Sequence, residues 1–389
     1  MTKKTNVRDE TLLANGGRDP ESNYGIVNPP VYHASTVTSP TLEAYRNRDY
    51  TKDITYGRMG TPTQKALEEA VALVEGGDRA IAVSSGLASI TTAVSAFVES
   101  GDHILVTDSA YFPTRNFCNN VMKKYGVETT YYDPLIGVGI ADLIQNNTKV
   151  VMTEAPGSQT FEVQDIPAIA EAAHARGAVV INDNTWGTPI NFKSFDRGVD
   201  VSVHAATKYI VGHSDAMLGI IVTTDDHYET ILKNFRFWGQ HAAPDDCYLG
   251  LRGLRSMSIR LKQHQENALI VANWLQQHPD VSRVLYPALP DDPGHELWKR
   301  DFEGACGLFG VLLNAHYDDS KLGKMLDGLE LFAMGASWGG YESLILPAAP
   351  IRTATTWEAE GSLLRLHIGL EHPDDLIADL DAGLTRLHG

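Results

Sequence analysis

The first candidate for chemistry in this chain is a lysine that follows a predicted strand. Lys208 stands in the segment AATKY (205–209), directly after the predicted strand 201–204. Burial away from other charges lowers the pKa of a lysine, because the protonated amine loses its hydration. A neutral amine can then form a Schiff base with a carbonyl compound. The alternative is a lysine that simply reaches the surface after a strand.

An aspartate stands in a matching position 25 residues earlier. Asp183 follows the apolar run 179–182, and ligands of doubly wound sheets lie outside the carboxyl ends of the strands. Asp183 and Lys208 could therefore face one crevice. A carboxylate there can keep the nitrogen of a pyridine ring protonated, which makes the ring an electron sink. A turn-forming aspartate at a strand end is the alternative.

Anion binding is the third chemistry that the residue types allow. The segment SSGL (84–87) lies between a short apolar run and an apolar helical pattern. Free N–H groups at the start of that helix, beside Gly86 and Leu87, could hold a phosphate. Small residues also form ordinary strand-to-helix turns, so this segment alone leaves both possibilities open.

Two arginines could complete the anion chemistry. Arg58 follows Tyr56 in an irregular region, where a charged side chain needs a reason to be ordered; a solvated surface arginine is the alternative. Arg365 lies in the strand-like segment LLRLHI (363–368), and an arginine is rarely buried there without a carboxylate. Its partner would be a protein Asp or Glu, or a substrate carboxylate. Tyr111, after another predicted strand, could stack on a flat cofactor or belong to the core.

A sheet whose strands alternate with helices must position these residues. Strands separated by helices of this length indicate βαβ units and a mostly parallel, doubly wound α/β sheet. The predicted strands are 80–84, 103–107, 128–132, 150–153, 179–182, 201–204 and 219–222, and the predicted helices include 67–74, 115–124 and 166–176.

The chain of 389 residues is too long for one ordinary core. We predict an extended N-terminal arm at 1–60, a domain that carries the large sheet and the ligand at 61–253, and a smaller α+β domain at 254–389. A long helical run at 255–277 would lead into the smaller domain. Its further elements would be the strands 307–313 and 363–368 and the helices 320–328 and 373–387.

Composition narrows the class of protein. The formal net charge of −17 argues against general nucleic-acid binding and adhesion to an anionic membrane, so an anionic ligand needs a local positive pocket. The uncharged stretch 80–98 approaches the length of a membrane span, but its serines and threonines fit a buried strand–turn–helix better. The polar first ten residues resemble no secretory signal, and three distant cysteines fit a reducing cytoplasm. The 14 histidines show no metal-ligand spacing, so we predict no metal site.

Taken together and in this order, the motifs resemble those of the Cys/Met-metabolism family of fold-type I enzymes, which depend on pyridoxal 5′-phosphate (PLP). The resemblance covers essentially the whole chain. The segments that carry it are YGR (56–58), SGLA (85–88), DNT (183–185), TKY (207–209) and RLHIGLE (365–371).

The resemblance implies how the chain would hold PLP. Lys208 would form the Schiff base and later transfer protons, Asp183 would pair with the pyridinium nitrogen, and Tyr111 would stack on the ring. The catalytic candidates are therefore Lys208, Asp183 and Tyr111, with Tyr56 added from a second subunit. The phosphate ligands would be Gly86, Leu87 and Thr207, together with Tyr56 and Arg58 of that neighbouring subunit.

The resemblance also implies a substrate site and an assembly. Arg365 and Ser337 would bind the α-carboxylate of an amino acid, with Trp338 beside them. The shared site implies an obligate dimer, and the family usually pairs two dimers into a tetramer. One position departs from the family pattern: many members carry serine three residues before the lysine, where this chain has Ala205. This difference suggests one fewer hydroxyl contact to the phosphate.

Within the family the chain is most similar to the members that catalyse β-elimination. Trp338 after Ser337, and Gly157-Ser158 after Pro156, fit those members better than the γ-enzymes. The implied reaction converts L-cystathionine to homocysteine, pyruvate and ammonia, as in methionine biosynthesis. The alternatives are γ-elimination or γ-replacement on cystathionine, methionine or O-acylhomoserine. A regulatory protein that binds PLP and a partner is an alternative of a different class.

Overall fold

A computed structural model describes residues 7–50 and 53–388 of the chain. The strands of its larger sheet are β1 Arg79–Val83, β2 His103–Thr107, β3 Glu128–Tyr132, β4 Thr148–Glu154, β5 Val179–Asp183, β6 Val201–His204 and β7 Gly219–Thr223. They lie in the order β1-β7-β6-β5-β4-β2-β3. Strands β3, β2, β4, β5 and β6 run parallel, whereas β7 pairs antiparallel with β6 and with β1. The mostly parallel α/β sheet that the sequence predicts is therefore confirmed.

Helices cover both faces of this sheet. The α-helices of the described residues are α1 Asp9–Asn15, α2 Leu42–Arg46, α3 Pro62–Glu75, α4 Gly86–Ser95, α5 Phe112–Asn116, α6 Ile166–His174, α7 Thr188–Asn191, α8 Asp225–Phe237, α9 Pro244–Leu254, α10 Met257–Gln276, α11 His295–Asp301, α12 Asp319–Leu326 and α13 Pro373–Thr385. Helix α5 continues as a π-helical turn, Phe117–Met122. Short 3₁₀ turns occur at Glu21–Asn23, Gly57–Met59, Lys123–Tyr125, Gly137–Asp142, Ser194–Arg197 and Arg386–His388.

Alternate residues of the strands pack into two different cores. In β1, Ala80 and Ala82 belong to one core, which includes residues of α3 and α6. Ile81 and Val83 belong to the other core, which includes residues of α4 and α8. Successive side chains of a strand point to opposite faces, so a strand buried on both faces needs a continuous apolar run. The central residues of β2, β4, β5 and β7 are accordingly apolar.

A second, smaller sheet lies in the C-terminal part of the chain. Its strands are β8 Val281–Leu285, β9 Leu308–Leu313, β10 Leu344–Ala348 and β11 Leu363–His367. They lie in the order β10-β11-β9-β8, and every neighbouring pair is antiparallel. Helix α10 contacts β8 and α13. The structure thus confirms the predicted smaller α+β unit, whereas the domain boundaries given above remain predictions.

The N-terminal part is mostly irregular, with one buried anchor. Helix α1 packs on α3 and α10, and its Leu13 is fully buried. The following residues expose large aromatic side chains, among them Tyr24, Tyr32 and Tyr45. The stretch 80–98 is a strand, a turn and a helix, as predicted. Within the described ranges, no helix is both long and apolar enough to cross a membrane, and no cluster of His, Cys, Asp or Glu could hold a metal ion.

Candidate active site

One large cavity, of about 910 Å³, opens at the edge of the large sheet where the parallel strands end. Nine of the eleven residues that the sequence predicts for the site line it. These nine are Gly86, Leu87, Tyr111, Asp183, Thr207, Lys208, Ser337, Trp338 and Arg365. Residues far apart in the sequence meet here because strands β1, β2, β5 and β6 deliver their following loops to the same edge, while the second sheet contributes the rest.

Lys208 is held inside this cavity four residues after the end of β6. Its Nζ donates a hydrogen bond to Ser337 Oγ at 2.7 Å and lies 5.4 Å from the centre of the Trp338 ring. Burial lowers the pKa of Lys208 to about 8, and Arg365 acts in the same direction while Asp183 opposes the shift. The amine is therefore neutral in an appreciable fraction of molecules near neutral pH, which suits a nucleophile.

The turn that carries Lys208 rests on a buried arginine. The Arg260 guanidinium donates to the carbonyl oxygens of Tyr209 and Gly253, at 2.8 and 2.9 Å. Gly212 lies against this guanidinium and has a φ of +70°; a Cβ there would lie 2.0 Å from Arg260 Nη1. Only glycine fits this close approach at a positive φ. Arg260 thus connects the residue after Lys208 to helix α9.

Asp183 ends β5 and is buried at the floor of the cavity. Its Oδ1 accepts hydrogen bonds from the backbone N–H and the hydroxyl of Thr185. Thr185 Oγ1 accepts in turn from the backbone N–H of Ala205 at 2.9 Å, which ties β5 to the loop after β6. Burial raises the pKa of Asp183, whereas the Thr185 hydrogen bonds, His204 and Lys208 lower it. A cationic partner would stabilise the carboxylate.

Behind Asp183 lies a polar network that sequence reasoning missed. Glu75 of α3 is fully buried and accepts hydrogen bonds from Asn184 Nδ2 at 2.9 Å and Ser202 Oγ at 2.6 Å. Its Oε2 lies 2.8 Å from His204 Nε2. These partners hold the pKa of Glu75 below its usual value although burial opposes them. The network fixes Asn184, the residue after Asp183, and therefore the direction of the backbone at the end of β5.

The candidate phosphate seat lies where α4 begins. Ser85 caps this helix by accepting the Ala88 N–H at 3.1 Å, and Gly86 and Leu87 form the first turn, whose N–H groups have no preceding helical carbonyl. A Cβ at Gly86 would lie 2.4 Å from the Cβ of Ala205. The absence of a side chain at Gly86 therefore lets the start of the helix approach the loop that carries Thr207 and Lys208.

Arg365 lies in the middle of β11 with its guanidinium in the cavity. Its Nη2 donates to the carbonyl oxygen of Ser337 at 3.3 Å and lies 3.5 Å from that of Gly335. No carboxylate among the described residues forms an ion pair with it, so the first of the two predicted partners, a protein Asp or Glu, is not what the structure contains. Burial lowers the pKa of Arg365. A buried guanidinium that forms no ion pair with a described residue favours the binding of a ligand carboxylate.

A second buried carboxyl, Glu154, lies beside Asp183. Glu154 ends β4 and accepts the backbone N–H of Tyr111 at 2.7 Å. Burial raises its pKa well above the usual value, and the charge of Asp183 raises it further. The protonated form of Glu154 is thereby favoured. Glu154 ends an apolar strand just as Asp183 does, so the rule that found Asp183 could have found it.

Two predicted residues lie outside this cavity. The backbone of Tyr56 pairs with Thr36, and its side chain is 48% exposed. Arg58 donates from Nη1 to the carbonyl oxygen of Arg236 at 3.3 Å. The family resemblance assigns both residues to the site of a neighbouring subunit. In their own chain, neither residue lines the cavity.

The residues of the cavity fit PLP by their chemistry. A buried amine of lowered pKa, a carboxylate at the end of a neighbouring strand and a helix start without side-chain obstruction supply the three groups that this cofactor needs: an amine for its aldehyde, an anion for its pyridine nitrogen and N–H donors for its phosphate. Tyr111 lines the same cavity and offers a ring for stacking.

Known proteins resemble this chain over its whole length. The family described as "Cys/Met metabolism PLP-dependent enzyme" matches residues 10–385. Cystathionine beta-lyase MetC of Escherichia coli K12 is 44% identical over 97% of this chain and 98% of its own length. An L-alanine/L-glutamate racemase of Wolbachia pipientis wMel is 41% identical over 98% of both chains.

A solved structure extends the comparison to three dimensions. Cystathionine gamma synthase from Xanthomonas oryzae pv. oryzae, in complex with aminoacrylate and cysteine, superposes with a TM-score of 0.90 and 32% identity over 99% of each chain. The fold, the cavity and these relatives agree with the resemblance that the sequence motifs suggest. The chain belongs to the family of PLP-dependent enzymes of Cys/Met metabolism.

Proposed function

We propose that this chain is a carbon–sulfur lyase that cleaves L-cystathionine by β-elimination into homocysteine, pyruvate and ammonia. The observation that carries the proposal is the convergence of Lys208, Asp183 and Arg365 in one cavity. The 44% identity with a bacterial cystathionine beta-lyase, against 32% with a gamma synthase, favours β- over γ-chemistry. The γ-reactions remain the alternative to be tested.

The residues of the cavity divide the work of this reaction. When bound, PLP would supply an electron sink for the Cα of the substrate. Asp183 keeps the ring nitrogen protonated, and Arg365 with Ser337 holds the α-carboxylate so that the Cα–H bond faces the amine. Lys208 takes the α-proton at its Nζ, and the carbon–sulfur bond then breaks with release of the thiol. Water completes the balance, since the remaining three-carbon fragment is hydrolysed to pyruvate and ammonia.

The test is an incubation of the purified, PLP-loaded protein with L-cystathionine, in which the keto acid is identified by mass. Pyruvate with homocysteine is the expected result. The γ-eliminating alternative would release 2-oxobutyrate with cysteine instead. Since the two keto acids differ by one CH₂ group, a single spectrum separates the two chemistries.

The racemase of Wolbachia supports a second candidate function, racemisation of small amino acids. Removal of the α-proton by Lys208 is common to both reactions, which differ only in the next step. A racemase returns a proton to the opposite face of Cα, whereas a lyase expels the β-substituent. The same preparation should therefore be incubated with L-alanine and with L-glutamate and analysed by chiral chromatography. D-enantiomers formed faster than pyruvate from L-cystathionine would make racemisation the main activity.

We also propose that two copies of the chain share their active sites and that two such dimers form a tetramer. The support is local: Tyr56 and Arg58 lie outside their own cavity, and the N-terminal part exposes Tyr24, Tyr32 and Tyr45. Exposed aromatic side chains in one segment are typical of an interface. The three cysteines of the chain are free and buried, which fits our further proposal of a cytoplasmic location.

A complementation experiment tests the shared site. Lys208→Ala and Arg58→Ala should each be severely impaired, because one lacks the amine and the other a phosphate ligand. After subunits are mixed and allowed to exchange, a mixed dimer contains one site with both residues intact. Random exchange should therefore restore about a quarter of the wild-type sites. If the activity after exchange only equals the summed residual activities of the two variants, the active sites are not shared.

The lowered pKa of Lys208 predicts how cofactor loading depends on pH. The neutral amine is the reactive form; with a pKa of about 8 it makes up about a quarter of the molecules at pH 7.5, against about a thousandth for an ordinary lysine. Since deprotonation increases with pH, the rate of PLP attachment to the apoenzyme should rise with a midpoint near pH 8 and level off above it. Stopped-flow absorbance from pH 6.5 to 10 measures this rate. A rate still rising steeply at pH 10 would contradict the burial of the amine.

A further inference from the structure

The cavity contains more guanidinium groups than one substrate carboxylate requires. Three arginines line it: Arg115, Arg352 and Arg365. The proposed function uses Arg365 for the α-carboxylate. L-Cystathionine carries a second carboxylate at its far end, so the hydrogen bonds of the other two arginines decide whether the cavity has a place for it.

Arg115 is fully committed to partners within the protein. Its Nη1 donates to Asp108 Oδ1 at 2.9 Å and to the Asp108 carbonyl oxygen at 3.2 Å. Its Nη2 donates to Thr353 Oγ1 at 3.0 Å, and the guanidinium carbon lies 3.9 Å from the centre of the Tyr131 ring. Both terminal nitrogens of Arg115 therefore already have partners within the protein.

Arg352 has a terminal nitrogen left. Its Nη2 donates to Glu162 Oε1 and to Thr160 Oγ1, both at 2.6 Å. The side chain is only 4% exposed, and its Nη1 is buried without a hydrogen-bond partner among the described residues. A buried donor without a partner is costly, whereas a charge-assisted hydrogen bond to a carboxylate is among the strongest in proteins.

The segment that carries Arg352 is fixed in place. The carboxylate of Asp108, which follows β2, accepts hydrogen bonds from the backbone N–H groups of Thr353, Ala354 and Thr355, at 2.9 to 3.0 Å. Burial raises the pKa of Asp108, but these bonds and Arg115 outweigh it and lower the pKa to about 2, so the carboxylate is charged at any physiological pH. Arg352 is thus positioned before a ligand arrives, which reduces the entropy lost on binding.

We propose that Arg352 binds the distal carboxylate of the substrate and makes this enzyme selective for amino acids that carry an anionic group at the far end of the side chain. The inference rests on the proposed function, because it concerns the leaving-group side of the same cavity. Glu162 pairs with the guanidinium of Arg352 through Nη2 and does not occupy Nη1. The cavity therefore pairs Arg365 with one end of the substrate and Arg352 with the other.

A matched pair of substrates isolates this contact. S-(3-carboxypropyl)-L-cysteine and S-butyl-L-cysteine have the same chain length and differ only in a terminal carboxylate against a methyl group. In the wild type, kcat/KM for pyruvate release should be larger for the carboxylate. In Arg352→Met that advantage should fall by about 10- to 100-fold, while S-butyl-L-cysteine changes less than about threefold. Arg352→Lys should lie between the two.

Binding without turnover gives a second measurement. L-2-Aminosuberate and L-2-aminooctanoate replace the sulfur atom of these substrates by carbon, so neither has a leaving group. Titration of the PLP-loaded wild type and Arg352→Met by calorimetry should show the same loss of preference for the dicarboxylate in the dissociation constants. Arg283→Met, a change of an exposed arginine on β8, serves as the matched control and should leave both ratios unchanged.

The ratio between two ligands cancels any difference in the amount of folded, loaded protein. An equal loss for both members of the pair leaves their ratio unchanged. It would mean that Arg352 only holds its segment in place, and it would overturn the proposal, as would no loss for either member. The proposed function fails separately: a wild-type protein that releases no pyruvate from either S-alkylcysteine is not a β-lyase. In that case a preference for the dicarboxylate in the calorimetric titration would still support the role of Arg352.

Discussion

Lys208→Ala should abolish β-elimination and the visible absorption of lysine-bound PLP. The amine is both the group that holds the cofactor and the base that takes the α-proton, so its removal should lower kcat roughly 10⁴-fold or more. The hydrogen bond from Nζ to Ser337 Oγ is lost as well, but Ser337 can then bond to water. Pyruvate release, coupled to lactate dehydrogenase, measures the first effect, and an absorption spectrum of the dialysed protein measures the second.

Two controls make this result specific to the amine. Lys299→Ala removes an exposed lysine of α11 and should leave both the spectrum and the rate unchanged. Addition of a small primary amine such as ethylamine to Lys208→Ala should restore part of the rate, because a free amine can enter a cavity of about 910 Å³. A Lys208→Ala variant that still eliminates at more than a hundredth of the wild-type rate would remove Lys208 from the mechanism.

The sequence predicts the large sheet well because most of its strands are buried on both faces and the others are rich in residues that favour strands. The predicted ranges 103–107 and 201–204 coincide with the fully buried strands β2 and β6. The range 128–132 coincides with β3, an only partly buried edge strand whose threonines and tyrosines favour the extended conformation. The sequence does not predict strands β8 and β10. Residues Ser282 and Arg283 of β8 are exposed, and β10 contains Pro347, so neither strand shows the uninterrupted apolar pattern.

The candidate site could be predicted where a residue stands just after a strand. Lys208, Asp183 and Tyr111 all lie at or after the ends of strands of the large sheet, and the rule that ligands lie at the carboxyl edge places them together. Arg352 follows no such rule. It lies in an irregular segment after β10, and its position depends on hydrogen bonds to Asp108, which is 244 residues away in the sequence. Contacts of this range leave no local pattern, so only the folded structure reveals them.

Glu75 illustrates a second kind of residue that the sequence does not reveal. A glutamate at the end of a helix is usually exposed, yet Glu75, the last residue of α3, is fully buried against His204. A buried carboxylate is stable only with several hydrogen-bond donors. The donors come from Asn184, Ser194 and Ser202, in other elements. The network supports the ends of β5 and β6, and these two strand ends position Asp183 and Lys208.

Asp183→Asn should retain PLP but lower kcat for β-elimination by roughly 10²- to 10³-fold, a loss typical of removing one preorganised electrostatic partner. Asparagine keeps the shape of the side chain and can still accept the N–H of Thr185, so the floor of the cavity should persist. It carries no charge, however, and cannot hold the ring nitrogen in its protonated form. The ring then accepts electrons poorly, and removal of the α-proton becomes rate-limiting.

A kinetic isotope effect distinguishes this loss from a general structural defect. With α-deuterated substrate, Asp183→Asn should show a larger isotope effect on kcat than the wild type, because the proton-transfer step limits its rate. Asp226→Asn, at an exposed position of α8, provides the control and should behave as the wild type.

Glu154 is the nearby carboxyl that could substitute for Asp183. Its raised pKa favours the protonated form, however, and its Oε2 accepts a hydrogen bond from the Tyr111 N–H. The additional variant Glu154→Gln in the Asp183→Asn background should therefore cause little further loss; an unchanged rate in Asp183→Asn alone would show that the electron sink does not depend on this carboxylate.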